Sequence, residues 1–198
     1  MNISAMALLV VGFVTPVQAG TLSSSEKIAV RRVEQAGGTF EWVQEDGRLT
    51  FCLDVNAKEK PFDFEPLVEL KSLRVLRVFQ GKIDEKSLVH LPKLKSLELL
   101  VITSDGLTNK GLKSIGKLVG LTKLDVKSEN LTEVGPSEFL KLKSLKRLFL
   151  YNTKITDSSL NSLCRLTWLS ELCVPKTVSE AGLTRLRIAL PKASVRSL

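Results

Sequence analysis

From Leu49 onward the hydrophobic residues recur in one frame, with leucines stepping by three into an apolar–x–apolar pair. The frame L-x-x-L-x-L appears as "LRVLRV" (73–78), "LKSLEL" (94–99), "LTKLDV" (121–126), "LKRLFL" (145–150) and "LSELCV" (169–174). The resulting pairs are Leu76/Val78, Leu97/Leu99, Leu124/Val126, Leu148/Leu150 and Leu172/Val174, with Leu53/Val55 before them and "LPKASVRSL" after. Steps between first members, from Leu53, are 23, 21, 27, 24 and 24 residues. Short alternation predicts a strand buried on one face. Leucines at steps of three, such as Leu160, Leu163, Leu166 and Leu169, predict a helical turn or two packed on the strand layer. One such unit cannot bury its own apolar face. Stacked units can, so the pattern predicts a short solenoid with parallel strands on one side and helices on the other. The 21-residue step implies a missing helical turn, and the 27-residue step an insertion at Thr103-Ser104-Asp105-Gly106 on a rim.

After each strand an apolar residue stands five positions before a leucine: Ile83, Leu107, Ile155 and Val178. The residue that follows it is Asp84, Thr108, Thr156 or Ser179, each suited to cap a helix by accepting from a first-turn amide. The next column, Glu85, Asn109, Asp157 and Glu180, is mostly acidic, as the helix dipole favours. "KITDSSL" (154–160) is therefore a helix start, with Thr156 as cap and Asp157 facing the dipole, and not a catalytic cluster. Leu131-Thr132-Glu133 is followed by Gly135-Pro136, so that helix starts later.

These features resemble the leucine-rich repeat family, and the 24-residue step with "TKITDSSL" is similar to its ribonuclease-inhibitor-like class in exported bacterial proteins. The resemblance covers about residues 49–198 and implies an α/β solenoid. That solenoid is a right-handed curved array, with parallel strands on the concave face and helices on the convex face. It also implies that a ligand lies along the strand face. One departure concerns the position of the usual Asn or Cys ladder, occupied here by Gly81, Ile102, Glu129, Thr153 and Thr177.

Residues 20–48 differ from the repeats. "SSSEKIAVRRVEQAGG" predicts a Ser-capped helix ended by Gly37-Gly38, with Ile28, Ala29, Val33 and Ala36 as its apolar stripe. "TFEWVQEDGRLTFCLDV" predicts strand, Asp-Gly turn, strand. This segment is a cap over the first core layer, with Phe40 and Trp42 facing inward, ahead of a repeat domain at 49–198. Residues 1–19 hold the uncharged run "AMALLVVGFV" and small residues Val17 and Ala19, the order of a signal peptide cut after Ala19. No Lys or Arg precedes the run, and an uncleaved anchor is the alternative reading. The run is too short to span a bilayer. The chain is thus expected to be exported, to a periplasm, envelope or medium, and to keep no stable membrane span.

Charge and chemistry narrow the function. The chain of 198 residues carries 29 Lys and Arg against 21 Asp and Glu, a net +8. Its three cysteines, Cys52, Cys164 and Cys173, are too few for a disulfide scaffold and read as packing residues. A single histidine, His90, excludes His-pair zinc motifs, and no Cys-x-x-Cys or Gly-x-Ser-x-Gly occurs. No enzyme, cofactor or metal site is expected.

Strand alternation places Val75, Arg77 and Phe79 outward, then Ser96, Glu98 and Leu100, Lys123, Asp125 and Lys127, Arg147, Phe149 and Tyr151, and Glu171, Cys173 and Pro175. The candidate partner-binding residues are Arg77, Phe79, Glu98, Lys123, Asp125, Lys127, Arg147, Phe149 and Tyr151. Arg147, Phe149 and Tyr151 beside Lys127 form the most interface-like stretch, as exposed aromatics with a cation. The mixed signs along the central column argue against a nucleic-acid groove. The expected function is a monomeric, non-catalytic protein-interaction module. A basic adhesin or scaffold holding acidic polymers or membrane surfaces is the alternative.

Overall fold

The computed structural model describes residues 22–45, 48–56, 62–79, 83, 85–133 and 135–197. The expected signal peptide, the Asp84 cap, Gly81 and the Trp42 side chain lie outside the described residues.

An eight-stranded sheet runs in chain order: β1 (Gly38–Glu45), β2 (Arg48–Asn56), β3 (Val75–Phe79), β4 (Leu99–Thr103), β5 (Lys123–Lys127), β6 (Arg147–Tyr151), β7 (Glu171–Val174) and β8 (Ser194–Ser197). β1 and β2 form an antiparallel hairpin, and every later pairing is parallel. The crossovers pack α2 (Asn109–Ile115), α3 (Leu160–Leu163) and α4 (Glu180–Ala189), after the N-terminal α1 (Ser24–Gln35). Tighter 3₁₀ turns fill the other crossovers at Glu65–Glu69, Ser87–Lys93 and Gly135–Lys141, and a further one at Asp157–Ser159 leads directly into α3. Three residues per turn suits a leucine spacing of three, which an α-helix would rotate off the core.

Pairing register shows why the chain stacks. Leu53, Leu76, Leu100, Leu124, Leu148, Leu172 and Val195 are successive partners, a single apolar row across seven strands. Leu70, Leu94, Leu118, Leu142, Leu166 and Leu190 form a second buried row beneath the crossovers. Each repeat buries its leucines against the neighbours on both sides, the condition a lone unit cannot meet.

The register corrects one expectation. Leu76 pairs with Leu100 and Val78 with Ile102, so the inward pair of β4 is Leu100/Ile102, not Leu97/Leu99. "LPKLKSLELLVI" satisfies the leucine frame twice, three residues apart, and only strand pairing chooses between the two. The step from Leu76 to Leu100 then equals that from Leu100 to Leu124, so no turn is missing and no loop inserted. Thr103-Ser104-Asp105-Gly106 is an ordinary turn. Ser104 Oγ accepts from the Gly106 amide at 3.1 Å, as Ser128 Oγ does from the Asn130 amide at 3.2 Å one repeat on.

The N-terminal segment folds as a helix, α1, and the β1–β2 hairpin. Ser23 and Glu26 make a reciprocal capping box on α1, and Gly37, at φ 88°, ends it. Ala29 and Val33 are buried, whereas Ile28 and Ala36 of the expected stripe are exposed. Phe40 is half-buried against the core, as expected. The other Glu26 carboxylate oxygen accepts from the Ser72 amide at 3.1 Å and hydroxyl at 2.7 Å, which ties α1 to the first crossover.

Candidate functional site

Alternation along β2–β8 sends one set of side chains into the leucine core and the other onto the open strand face. The central column of that face reads Asp54, Arg77, Val101, Asp125, Phe149, Cys173 and Arg196 in register.

At the first rungs the Arg77 guanidinium bridges two carboxylates. Its Nε lies 2.6 Å from Asp54 Oδ1, and its terminal nitrogen 2.7 Å from Glu41 Oε1 and 3.1 Å from Asp54 Oδ2. Glu41, Cys52 and Asp54 bring three ligand-type atoms within 4.8 Å of one another. Arg77 already supplies the positive charge there, and burial pushes the Cys52 thiol up, so it stays protonated. Arg77 thus already pairs with both carboxylates.

The middle of the face is apolar. Val75, Leu99 and Cys52 form a small buried cluster of their own, with Val101 packed against it. Glu98, expected in the strand's outward set, instead precedes β4 and pairs with Arg74. The same three-residue frame choice misplaced it, and misplaced Leu100, which is core.

Further along, Asp125, Arg147, Phe149, Tyr151, Glu171, Cys173 and Arg196 form one network. Arg147 contacts Asp125 at 3.3 Å, and Arg196 contacts Glu171 at 2.5 Å and Cys173 Sγ at 3.1 Å. Both guanidiniums flank the Phe149 ring, at 5.1 and 5.3 Å from its centroid, and Tyr151 meets it edge-on at 5.8 Å. Phe149 is only 8% exposed, which corrects the expectation of an exposed aromatic. Two arginines and a tyrosine cover it. Tyr151 stays half-buried, and its hydroxyl is pushed up to about 12 by burial and then by the nearby Asp125 charge. Burial also raises Asp125, against the opposing pull of Arg147. Among the described residues, Asp125 Oδ1 and Arg147 Nε are buried without a hydrogen-bond partner. Phe79 and Lys127 end β3 and β5, and Lys123 begins β5, all three half-buried. Arg196 is the residue sequence reasoning missed. Aligning Val195 with Leu172 places it in the central column.

At the N-terminal ends of β5–β7 the face drops into a groove of about 440 Å³ bounded by Glu98, Thr122, Lys123, Lys146, Arg147 and Glu171. Its floor is held by two hydroxyls that donate to the preceding repeat, Thr122 to Glu98 O at 3.0 Å and Ser170 to Lys146 O at 3.0 Å.

The helix-start residues serve a different purpose. Thr108 and Ser179 cap α2 and α4, accepting from the Lys110 and Gly182 amides. Thr156 does not cap: its hydroxyl lies 2.9 Å from Ser158 Oγ and reaches Glu133 at 3.4 Å. The second column reaches forward to the next repeat's cap position. Glu85 accepts from the Thr108 amide and hydroxyl, Asn109 from the Thr132 amide, Glu133 from the Thr156 hydroxyl, and Asp157 from the Ser179 amide and hydroxyl. This is a ladder between repeats. It accounts for the polar cluster without any chemistry.

A family model described as leucine rich repeat matches residues 119–174. The fold is a leucine-rich repeat solenoid. Similar solved structures include internalin C2 from Listeria monocytogenes, at 22% identity and a TM-score of 0.56, covering 72% of this chain and 59% of that one. A leucine-rich repeat protein from Leptospira interrogans scores 0.49 at 25% identity, covering 70% and 34%. An internalin F from Listeria monocytogenes scores 0.48 at 17%, covering 73% and 46%. The matched region of this solenoid thus spans less than two thirds of each of these proteins. No curated protein matches the sequence. No described helix is long and apolar enough to cross a membrane.

Proposed function

We propose that the solenoid is an exported, non-catalytic protein-interaction module that binds its partner along the open strand face. The observation that carries this reading is the face itself. Seven parallel-register positions hold charged and apolar side chains in fixed order, clamped by ion pairs between neighbouring strands and by an arginine-flanked Phe149. Such rigid, mixed surfaces lose little side-chain entropy on binding, and Arg and Tyr are enriched at hot spots. Export rests on the sequence of residues 1–19, and protein binding also accords with the repeat fold. The basic alternative, an envelope adhesin, draws on the exposed lysines of the loops.

The test is retention of envelope proteins on the immobilised chain at about 1 M salt, where the Debye length is about 3 Å. Retention that survives this salt and is lost with Val101→Asp plus Tyr151→Asp supports the module. Retention that vanishes with salt and ignores these substitutions supports the adhesin.

A further inference from the structure

We propose that the edge of the solenoid where the crossovers enter their strands binds a linear acidic glycan, its carboxylates lying along a ribbon of stacked cations. This edge lies apart from the strand face and leaves that reading untouched, while giving the basic alternative a definite surface and ligand. The chain's excess charge is confined to it. Windows 69–74, 93–98, 117–122, 141–146, 165–170 and 189–194 make the same turn once per repeat, and together hold ten Lys and Arg against two Glu. The rest of the chain holds nineteen basic and nineteen acidic residues, so these windows carry the whole net +8. All ten cations are exposed. Two are ion-paired, Arg74 with Glu98 and Lys141 with Glu138, and setting both pairs aside leaves eight cations against Glu69 alone.

The turns are alike in detail, which sets the cations in rows. The Leu97, Leu121, Leu145 and Leu169 amides each donate to the leucine carbonyl three residues earlier, at 2.9–3.2 Å. Successive turns also bond to each other, the Lys146 amide to Thr122 O at 2.7 Å and the Ser170 amide to Lys146 O at 2.9 Å. The residue before the buried leucine is Lys93, Lys117, Lys141 and Arg165 in turn, four cations about 5 Å apart along the stack. Two positions on, a second row holds Lys71, Lys95 and Lys143. Charges this close lie inside one Debye length, about 10 Å at 0.1 M salt, so their fields add along the ribbon. The ribbon's shape selects the ligand. An extended polyuronate carries one carboxylate on each sugar, so its charges recur on the scale of one rung. A flat anionic membrane would also meet the surfaces on either side, where the signs balance. Single-stranded nucleic acid calls for aromatic platforms, and the one aromatic residue in the windows is Trp168, with Lys143 Nζ over its ring at 3.7 Å.

The probe is an end-labelled oligogalacturonate that spans the four-cation row, measured by anisotropy against a neutral glucan oligomer of equal length. Lys93→Ser with Lys117→Ser and Arg165→Ser should weaken binding by about tenfold or more and flatten its salt dependence. The charge-matched Lys110→Ser with Lys154→Ser and Lys176→Ser, at exposed positions outside the windows, should weaken it by less than about twofold. In wild type the bound oligomer should shield Lys93, Lys95 and Lys117 from amine acetylation and leave Lys154 and Lys176 reactive, a readout that needs no variant. No binding at low salt, equal weakening by the two triple variants, equal affinity for the neutral glucan, or no shielding along the ribbon overturns the proposal. So does tighter binding of single-stranded DNA or phosphatidylglycerol vesicles that the ribbon variant abolishes, which would assign the edge to that ligand instead. Val101→Asp with Tyr151→Asp should leave oligomer affinity unchanged, and a loss there puts the glycan on the strand face and overturns the edge assignment. Failure at the edge leaves the strand-face reading standing, because partner retention is read through different residues.

Discussion

The Asp157 carboxylate accepts from the Ser179 amide at 2.9 Å and from the Ser179 hydroxyl at 2.5 Å, one repeat further on. The bonds hold two successive helix starts together. They also hold Asp157 below its ordinary carboxylate value of 3.8, first through the hydroxyl and then through the amide. A depressed folded-state value means that the stabilisation is present above 3.8 and lost as pH falls through the folded value. Wild type should therefore melt higher than Asp157→Ala at neutral pH, and the gap should close in melts at pH values well below 3.8.

Glu26 gives a second acid-sensitive joint. Burial raises its carboxyl, but the hydrogen bonds from Ser72 and Ser23 outweigh this and leave it below the ordinary 4.5. The same sign applies, so α1 is held to the first crossover above 4.5 and loosens as pH falls below the lowered value. Protection of the α1 amides, referred to the intrinsic exchange rate at each pH, should fall in acid in wild type. In Glu26→Gln it should be low already at neutral pH, with a flatter pH profile.

The cap positions are not equivalent, although they look so in sequence. Thr108→Ala and Ser179→Ala each remove an amide acceptor and should cost about 1 kcal/mol by denaturant unfolding. Thr156→Ala removes no cap bond and should cost at most about half as much.

Phe149 belongs to the packing of the strand face. Phe149→Ala should cost about 3 kcal/mol, near the low end for buried aromatics because arginines rather than core side chains cover one side of the ring. Loss of partner binding in that variant would report damage to the face, and Tyr151→Ala is the cleaner probe.

The frame of β4 can be tested by paired truncations. Leu100→Ala should cost about 2–5 kcal/mol, as expected for the core row. Leu99→Ala should cost less than about half of that, because Leu99 packs only in the small outward cluster. A Leu99→Ala loss equal to that of Leu100→Ala would sink the assigned register.

Much of this architecture is legible in the chain alone. A leucine every third residue closing on an alternating pair cannot satisfy its burial within one unit, so stacked repeats follow from "LTKLDV", "LKRLFL" and "LSELCV" without coordinates. Ser23 with Glu26, and Gly37 beyond, mark α1 by local chemistry that needs no neighbour. The outward column is readable wherever only one frame fits, as for Arg77, Asp125 and Arg147.

Tertiary structure decided what depends on partners distant in sequence. At "LPKLKSLELLVI" two frames bury equally good leucines locally, and only the pairing of Leu76 with Leu100 selects one and moves Glu98 off the strand. Phe149 alternates outward as the pattern says. Whether outward means exposed depends on Arg147 and on Arg196, which lies 47 residues later in the chain. Asp157 likewise faces a helix start by sequence, yet its partner is Ser179 of the next repeat. Local periodicity determined which residues form strands and turns, because that depends on spacing along the chain. Exposure, charge pairing and the shape of the face arise between repeats, from atoms that the sequence separates by a full period.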